Sequence, residues 1–231
     1  MAKIKLAGAV GEISGSVGGN TYSRNRYGPY IRLRSVPTLV QNEYTLGVRE
    51  AFSNASRLWY GLTIAQRAAW NLWSSLNPVV DRLGEKVQLA GNAAFIRINA
   101  LLLQAGLSTR DDPPVGENPQ TLSSLTFTAD IGAGNFGVVF TPSPLPADTH
   151  LVIEGALRGA LSQTYLRNAW RTLMITTAAA TSPIDLQDEF VARFGDVVVG
   201  QVAHVRVRVM IGSLGLLSAP MTGFDLVVDT V

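Results

Sequence analysis

Residues 202–209, VAHVRVRV, decide how the C-terminal half of this chain folds. Val202, Val205, Val207 and Val209 frame His204, Arg206 and Arg208. Successive side chains of a strand point to opposite faces, so this alternation describes a strand with one face on a core and the other toward solvent. Six further segments carry the same period of two: SLTFTADI (124–131), NFGVVFT (135–141), THLVIEGAL (149–157), TLMITTA (172–178), EFVARF (189–194) and GFDLVVDTV (223–231). Seven short strands separated by turn-rich pieces predict an antiparallel β-sandwich over 121–231, of the immunoglobulin or fibronectin-III type. The long piece 156–172, with LSQTYLRNAW, reads as a strand plus loop or a short helix.

Upstream of the strands lies TRDDPPVGENPQ (109–120), whose proline, glycine and acidic content is that of a linker. Before it, over 37–108, the period changes. Val48, Phe52, Ala55 and Trp59 recur at three- and four-residue spacing and mark one face of a helix that Gly61 breaks. Thr63 stands three residues before Gln66, the capping-box pattern that opens a second helix through Ala69, Trp70 and Trp73. Asn77–Pro78 closes it, and a third helix runs from near Asn92 to Gly106 through Phe95, Ile98 and Leu102. Residues 1–36 return to a period of two with Gly18–Gly19–Asn20 and Tyr27–Gly28–Pro29 as turns, an extended β-arm. The predicted class is therefore α+β: arm, helical module, linker and sandwich.

Composition narrows the function. Of 231 residues 47% are apolar and only 16% charged, below the usual quarter, which fits a β-rich chain or a surface that partners cover. The net charge of +2 is unevenly spread: residues 1–36 hold six cations against Glu12, or +5, leaving −3 elsewhere. With no cysteine, disulfides, thiolate metal sites and cysteine nucleophiles are excluded. The opening MAKIKLAGAVGEISG is too interrupted for a signal peptide, and no run reaches the length of a membrane span. Synthesis in a cytoplasm, without a membrane stage, is the expectation.

Chemistry is sparse. His150 and His204 are the only histidines and lack companions at ligand or triad spacing, so both are expected as surface or edge residues. Asp185, Asp188 and Glu189 in SPIDLQDEF lack the ordered oxygen spacing and glycine of a calcium loop and read as turn and cap residues. GAVGEISGSVGG has no Gly-Lys-Ser/Thr after it, and DIGAGNFG sits between two strands, where glycine makes a turn. Neither catalytic residues, nor a metal site, nor a cofactor is expected.

The arm SVGGNTYSRNRYGPYIRLR (16–34) remains. Tyr22, Arg24, Arg26, Tyr27, Tyr30, Arg32 and Arg34 combine the residue types that dominate protein interfaces with those that grip nucleic acid. Four arginines make a small electrostatic footprint, so contact with another protein subunit is the preferred reading and nucleic acid the second.

These pieces together carry a resemblance. SGSVGGNTYSRNRYGPYIRLRSVP, REAFSNASRLWYGLTIAQRAAWN and GNAAFIRINALLLQAG resemble virion proteins encoded by tailed bacteriophages and prophages, with a glycine-rich arm, an LT-x-AQR-x-AW helix pair and an F-x-R-x-N helix. The matching positions are Leu62, Thr63, Ala65, Gln66, Arg67, Ala69, Trp70, Phe95, Arg97 and Asn99. The resemblance covers less than half of the chain and brings no catalytic residue with it. It implies a non-enzymatic structural part of the virion, an accessory or capsid-decorating protein docked by its N-terminal half. A head–tail, tail or fibre-base part is the alternative. The implied partners are capsid or tail subunits and further copies of the chain, with synthesis in the host bacterial cytoplasm.

Overall fold

A computed structural model describes residues 2–3, 13–25, 28–35, 42–80, 85–159, 166 and 169–230. The chain divides into two compact units, Met1–Thr45 and Leu46–Val231. Its class is mixed α+β with antiparallel sheets, and no closed barrel forms among the described residues.

The first unit is a four-stranded sheet of β1 (Ala2–Lys3), β2 (Gly15–Val17), β3 (Asn20–Asn25) and β4 (Gly28–Leu33) in the order β1-β4-β3-β2. Gly18 and Gly19 hold φ of +57° and +84° between β2 and β3. Two left-handed residues in a two-residue loop match the twist of a hairpin, and glycine takes that conformation without strain.

The second unit begins within α1 (Glu43–Gly61), followed by α2 (Ile64–Leu76), a small hairpin of β5 (Val79–Val80) and β6 (Lys86–Val87), and α3 (Gly91–Gln104). The capping box is formed: the Gln66 N–H donates to Thr63 Oγ1 at 3.2 Å, and the Thr63 N–H donates to Gln66 Oε1 at 3.0 Å. Gly106, at φ +70°, ends α3, and the Leu107 N–H reaches back to the Leu102 carbonyl at 2.9 Å, closing the helix in a Schellman turn. Trp70 and Phe95 are fully buried and meet edge to face, their ring centres 5.3 Å apart. Trp59 and Trp73 flank them. The helices approach so closely at Gly91 that a Cβ there would lie 2.3 Å from Asn71 Oδ1.

The remaining strands are β7 (Ser124–Asp130), β8 (Asn135–Thr141), β9 (Thr149–Arg158), β10 (Arg171–Ile175), β11 (Ile184–Asp185), β12 (Val202–Ile211), β13 (Leu216–Leu217) and β14 (Met221–Leu226). One sheet runs β10-β9-β12-β13, with β14 also paired to β12, and the other runs β11-β8-β7. Both contribute to one apolar cluster: Phe127, Phe136 and Val138 from the three-stranded sheet, Leu151, Ile153, Val205 and Val207 from the five-stranded one. After β14 the chain passes to the edge of β7, where the Val228 N–H donates to the Ala129 carbonyl and the Ile131 N–H to the Val228 carbonyl. In β12 Val205, Val207 and Val209 are buried and His204, Arg206 and Arg208 half-buried, as the alternation requires, while Val202, on the face of His204, is buried as well.

Three features depart from the sequence reading. EFVARF is not a strand but the body of α4 (Gln187–Phe194). Six residues fit either period, and the acids Asp188 and Glu189 in the first turn favour the helix. Phe190 then drops into the main cluster between Phe127 and Phe136. His150 is buried rather than at the surface, and its Nδ1–H donates to the Thr176 carbonyl at 2.8 Å. The start of the stretch 109–120, at Arg110 and Asp111, is tied down within the second unit. The Trp70 indole N–H donates to the Asp111 carbonyl at 2.8 Å. The buried Asn99 side chain accepts from the Arg110 N–H at 2.7 Å and donates to the Arg110 carbonyl at 3.1 Å. The Arg110 guanidinium in turn donates to the Ser213 carbonyl in the β12–β13 turn. Most of 160–168 lies outside the described residues.

Candidate functional site

The arm residues divide between two faces of the first sheet. Tyr22 pairs with Ile31 and Gly15, Asn20 with Leu33 and Val17, and Arg24 with Pro29. Cross-strand partners share a face, so Val17, Tyr22, Arg24, Ile31 and Leu33 lie on one side. Tyr30 pairs with Ser23 and Arg32 with Thr21, which places these four on the other, together with Ser16, whose hydroxyl meets that of Thr21 at 2.9 Å. One face is thus apolar apart from Asn20 and Arg24, and the opposite face is polar and carries Arg32. Arg34 follows β4, its N–H donating to the Gly19 carbonyl at 2.7 Å. Arg26 and Tyr27 lie outside the described residues.

Among residues 13–24, 28–35 and 42–45 of this unit, none is buried. Val17 and Leu33 are 69% and 82% exposed, while Tyr22, Tyr30 and Ile31 are half-buried and Arg24, Arg32 and Arg34 exposed. A sheet face with large apolar side chains in water forgoes the transfer energy that burial would return, about 25 cal/mol per Å².

The helices of the second unit carry a matching surface that the sequence did not reveal. Along α2, Ile64, Ala68, Leu72 and Leu76 recur every fourth residue and form one stripe. All four are exposed, Ile64 at 87%, Leu72 at 63% and Leu76 at 72%. The opposite face holds Trp70 and Ser74 in the interior, the Ser74 hydroxyl donating to the Leu89 carbonyl at 2.6 Å. α1 behaves likewise. Ala55 is buried and Trp59 half-buried, whereas Val48 and Phe52 of the same predicted face stand in solvent. The sequence reading marked Ala69, Trp70 and Trp73 on α2 and left Ile64, Leu72 and Leu76 aside.

The remaining polar groups have structural roles. Thr63 and Gln66 cap α2, and Arg67 donates to the Tyr60 carbonyl at 2.8 Å with its guanidinium over the Trp59 ring. Asp130 accepts from the Gly132 and Ala133 N–H groups across the β7–β8 turn, and bonds from Thr230 and these amides hold its carboxyl below the usual range. Hydrogen bonds from Ser213, opposed by burial and helped by the nearby His150, lower the Asp148 carboxyl as well. Asp185 accepts from the Gln187 N–H two residues on, an Asx turn that leads into α4. His204 lies beside the Phe224 ring at 5.5 Å, and burial followed by the charge of Arg158 lowers its pKa. Among the described residues, no three of His, Asp and Glu converge as metal ligands, and no helix is long and apolar enough to cross a membrane. Comparison with protein-family models, with curated proteins and with solved structures gave no match.

Proposed function

We propose that this chain is a non-enzymatic structural component of a bacteriophage particle, an accessory or capsid-decorating protein docked through its N-terminal half onto capsid or tail subunits. The observation that carries the reading is the α2 stripe, where Ile64, Leu72 and Leu76 stand more than half exposed on one helical face. Contiguous exposed apolar surface marks interaction sites, and a stripe at four-residue spacing is the geometry by which a helix enters an apolar groove. The apolar face of the first sheet adds a second surface of the same kind. The resemblance of the arm and helices to tailed-phage proteins supplies the partner class. In this reading the two antiparallel sheets form an immunoglobulin- or fibronectin-III-like sandwich that mediates further contacts, supported by the single cluster that both share.

Mass spectrometry of purified particles from the phage or prophage that encodes the chain is expected to find it among the structural proteins. Absence from washed particles overturns the proposal. Adding purified protein to particles that lack it separates the rivals. Docking through the stripe predicts co-sedimentation that Ile64→Asp with Leu72→Asp abolishes. A nucleic-acid role instead predicts salt-dependent DNA binding that Arg24→Ala with Arg32→Ala abolishes.

A further inference from the structure

Where the helical cluster meets the end of the five-stranded sheet, the second unit opens into a cleft of about 880 Å³. Its walls come from the end of α2, the β5–β6 hairpin, α3 and the β12–β13 region. Three cations line it, Lys86, Arg97 and Arg208, and among the described residues no carboxylate does. Trp73, Leu101 and Pro220 supply apolar wall. The volume falls within the range of pockets that hold small organic ligands.

The two arginines reach this place by different routes. Phe95 and Asn99, one turn apart on α3, are buried against the helical cluster, so Arg97 between them projects from another side of the helix, near Leu101 and Gln104. It makes no hydrogen bond or ion pair among the described residues and keeps solvent access. Arg208 projects from the polar face of β12. Its Nη2 donates to Glu154 Oε2 at 3.1 Å, but that oxygen already accepts from Arg206 Nε at 2.7 Å. One carboxylate therefore serves two guanidiniums, and the Arg208 Nε is buried with no partner at all.

Such an arrangement is costly for the empty protein. Like charges brought together in a partly desolvated cleft repel, and a buried donor without an acceptor forgoes its hydrogen bond. Arg97 lies at the open side of the cleft, and its guanidinium pKa is lowered by partial burial first and by the charge of Arg208 second. Nothing in the fold requires Arg97 to be cationic, since it supports neither a helix cap nor a salt bridge. An anion between Arg97 and Arg208 removes the repulsion and gives both guanidiniums acceptors in the two-oxygen geometry they fit.

We propose that this cleft binds a small organic anion, its carboxylate or phosphate group held between Arg97 and Arg208 with Lys86 at the rim and its body against Trp73, Leu101 and Pro220. The cleft borders the docking stripe at Leu76, the residue the two share, and the proposal does not rest on the docking reading.

Calorimetric titration and thermal shift of the full chain with a probe set test this: inorganic phosphate, citrate, glucuronate, glucose 6-phosphate and, as the neutral control, glucose. Saturable binding of at least one organic anion at millimolar concentration or below is expected, with glucose silent. Glucuronate against glucose 6-phosphate tells carboxylate from phosphate. Arg97→Gln weakens the bound probe tenfold or more and removes its thermal shift, while the unliganded variant melts at the same temperature or higher because a repulsion is gone. Lys86→Gln, at the rim, weakens binding less and covers the case in which Arg97→Gln does not fold. Failure of every organic anion to saturate, binding that both variants leave unchanged, or equal binding of glucose overturns the proposal. Saturation by inorganic phosphate with none of the organic probes also overturns it, as an adventitious ion only.

Discussion

The first sheet and the pair of sheets at the C-terminal end are written in the same alternating code and end differently. In the C-terminal pair, the inward residues of β7, β8, β9 and β12 meet one another and α4, and bury side chains as large as Phe136, Phe140 and Phe190 completely. In the first sheet, Tyr22, Ile31, Val17 and Leu33 alternate just as well, and none is buried. Alternation specifies a strand with a face to cover. It does not specify that the same chain provides the cover.

Three variants press on that contrast, from the largest expected effect to the smallest. Phe190 packs its ring 5.1 Å from Phe136 and 5.5 Å from Phe194. Replacing it with alanine leaves a cavity the sheets cannot close, and is expected to cost about 3–5 kcal/mol in denaturant unfolding. A loss below about 1 kcal/mol would show that the shared cluster is not what holds the two sheets together. Thr63→Ala removes the side-chain acceptor for the Gln66 N–H, and thermal unfolding is expected to show a loss of about 1 kcal/mol. The smallest effect belongs to the arm. Val17→Ser with Leu33→Ser changes two residues that are mostly exposed, so the unfolding free energy is expected to move by no more than about 0.5 kcal/mol. Co-sedimentation with particles is expected to fall in the same variant. A large loss of stability there would mean that the isolated chain already covers this face.

Much of the local structure was legible in advance because its causes are local. The Thr63–Gln66 capping box, the Gly106 turn and the two faces of β12 each rest on residues within a few positions of one another. The helix in EFVARF was missed because one and a half turns are too short for a period to declare itself, and its outcome rests on where Phe190 could be buried. The exposed faces of α1 and α2 were hidden for a related reason. Phe52 and Leu72 look like core residues in sequence, and only the packing of Trp70 against Phe95 shows that the core was already full on the other side. The basic cleft was the least legible of all. Arg97 and Arg208 come from distant elements, and only the meeting of α3 with the β12–β13 region brings them together.

The ties at the start of 109–120 bear on how this protein is to be placed in a density map. Asn99 and Trp70 hold Arg110 and Asp111 to the helices, and Arg110 carries the connection on to Ser213 in the β region. Read as a spacer, the stretch would invite an electron-density search with two independent fragments turning about a hinge. With Arg110 tied both to the helices and to Ser213, the described residues between 46 and 230 make a single search body. A density into which the helices fit only when swung away from the strands would then belong to some other protein.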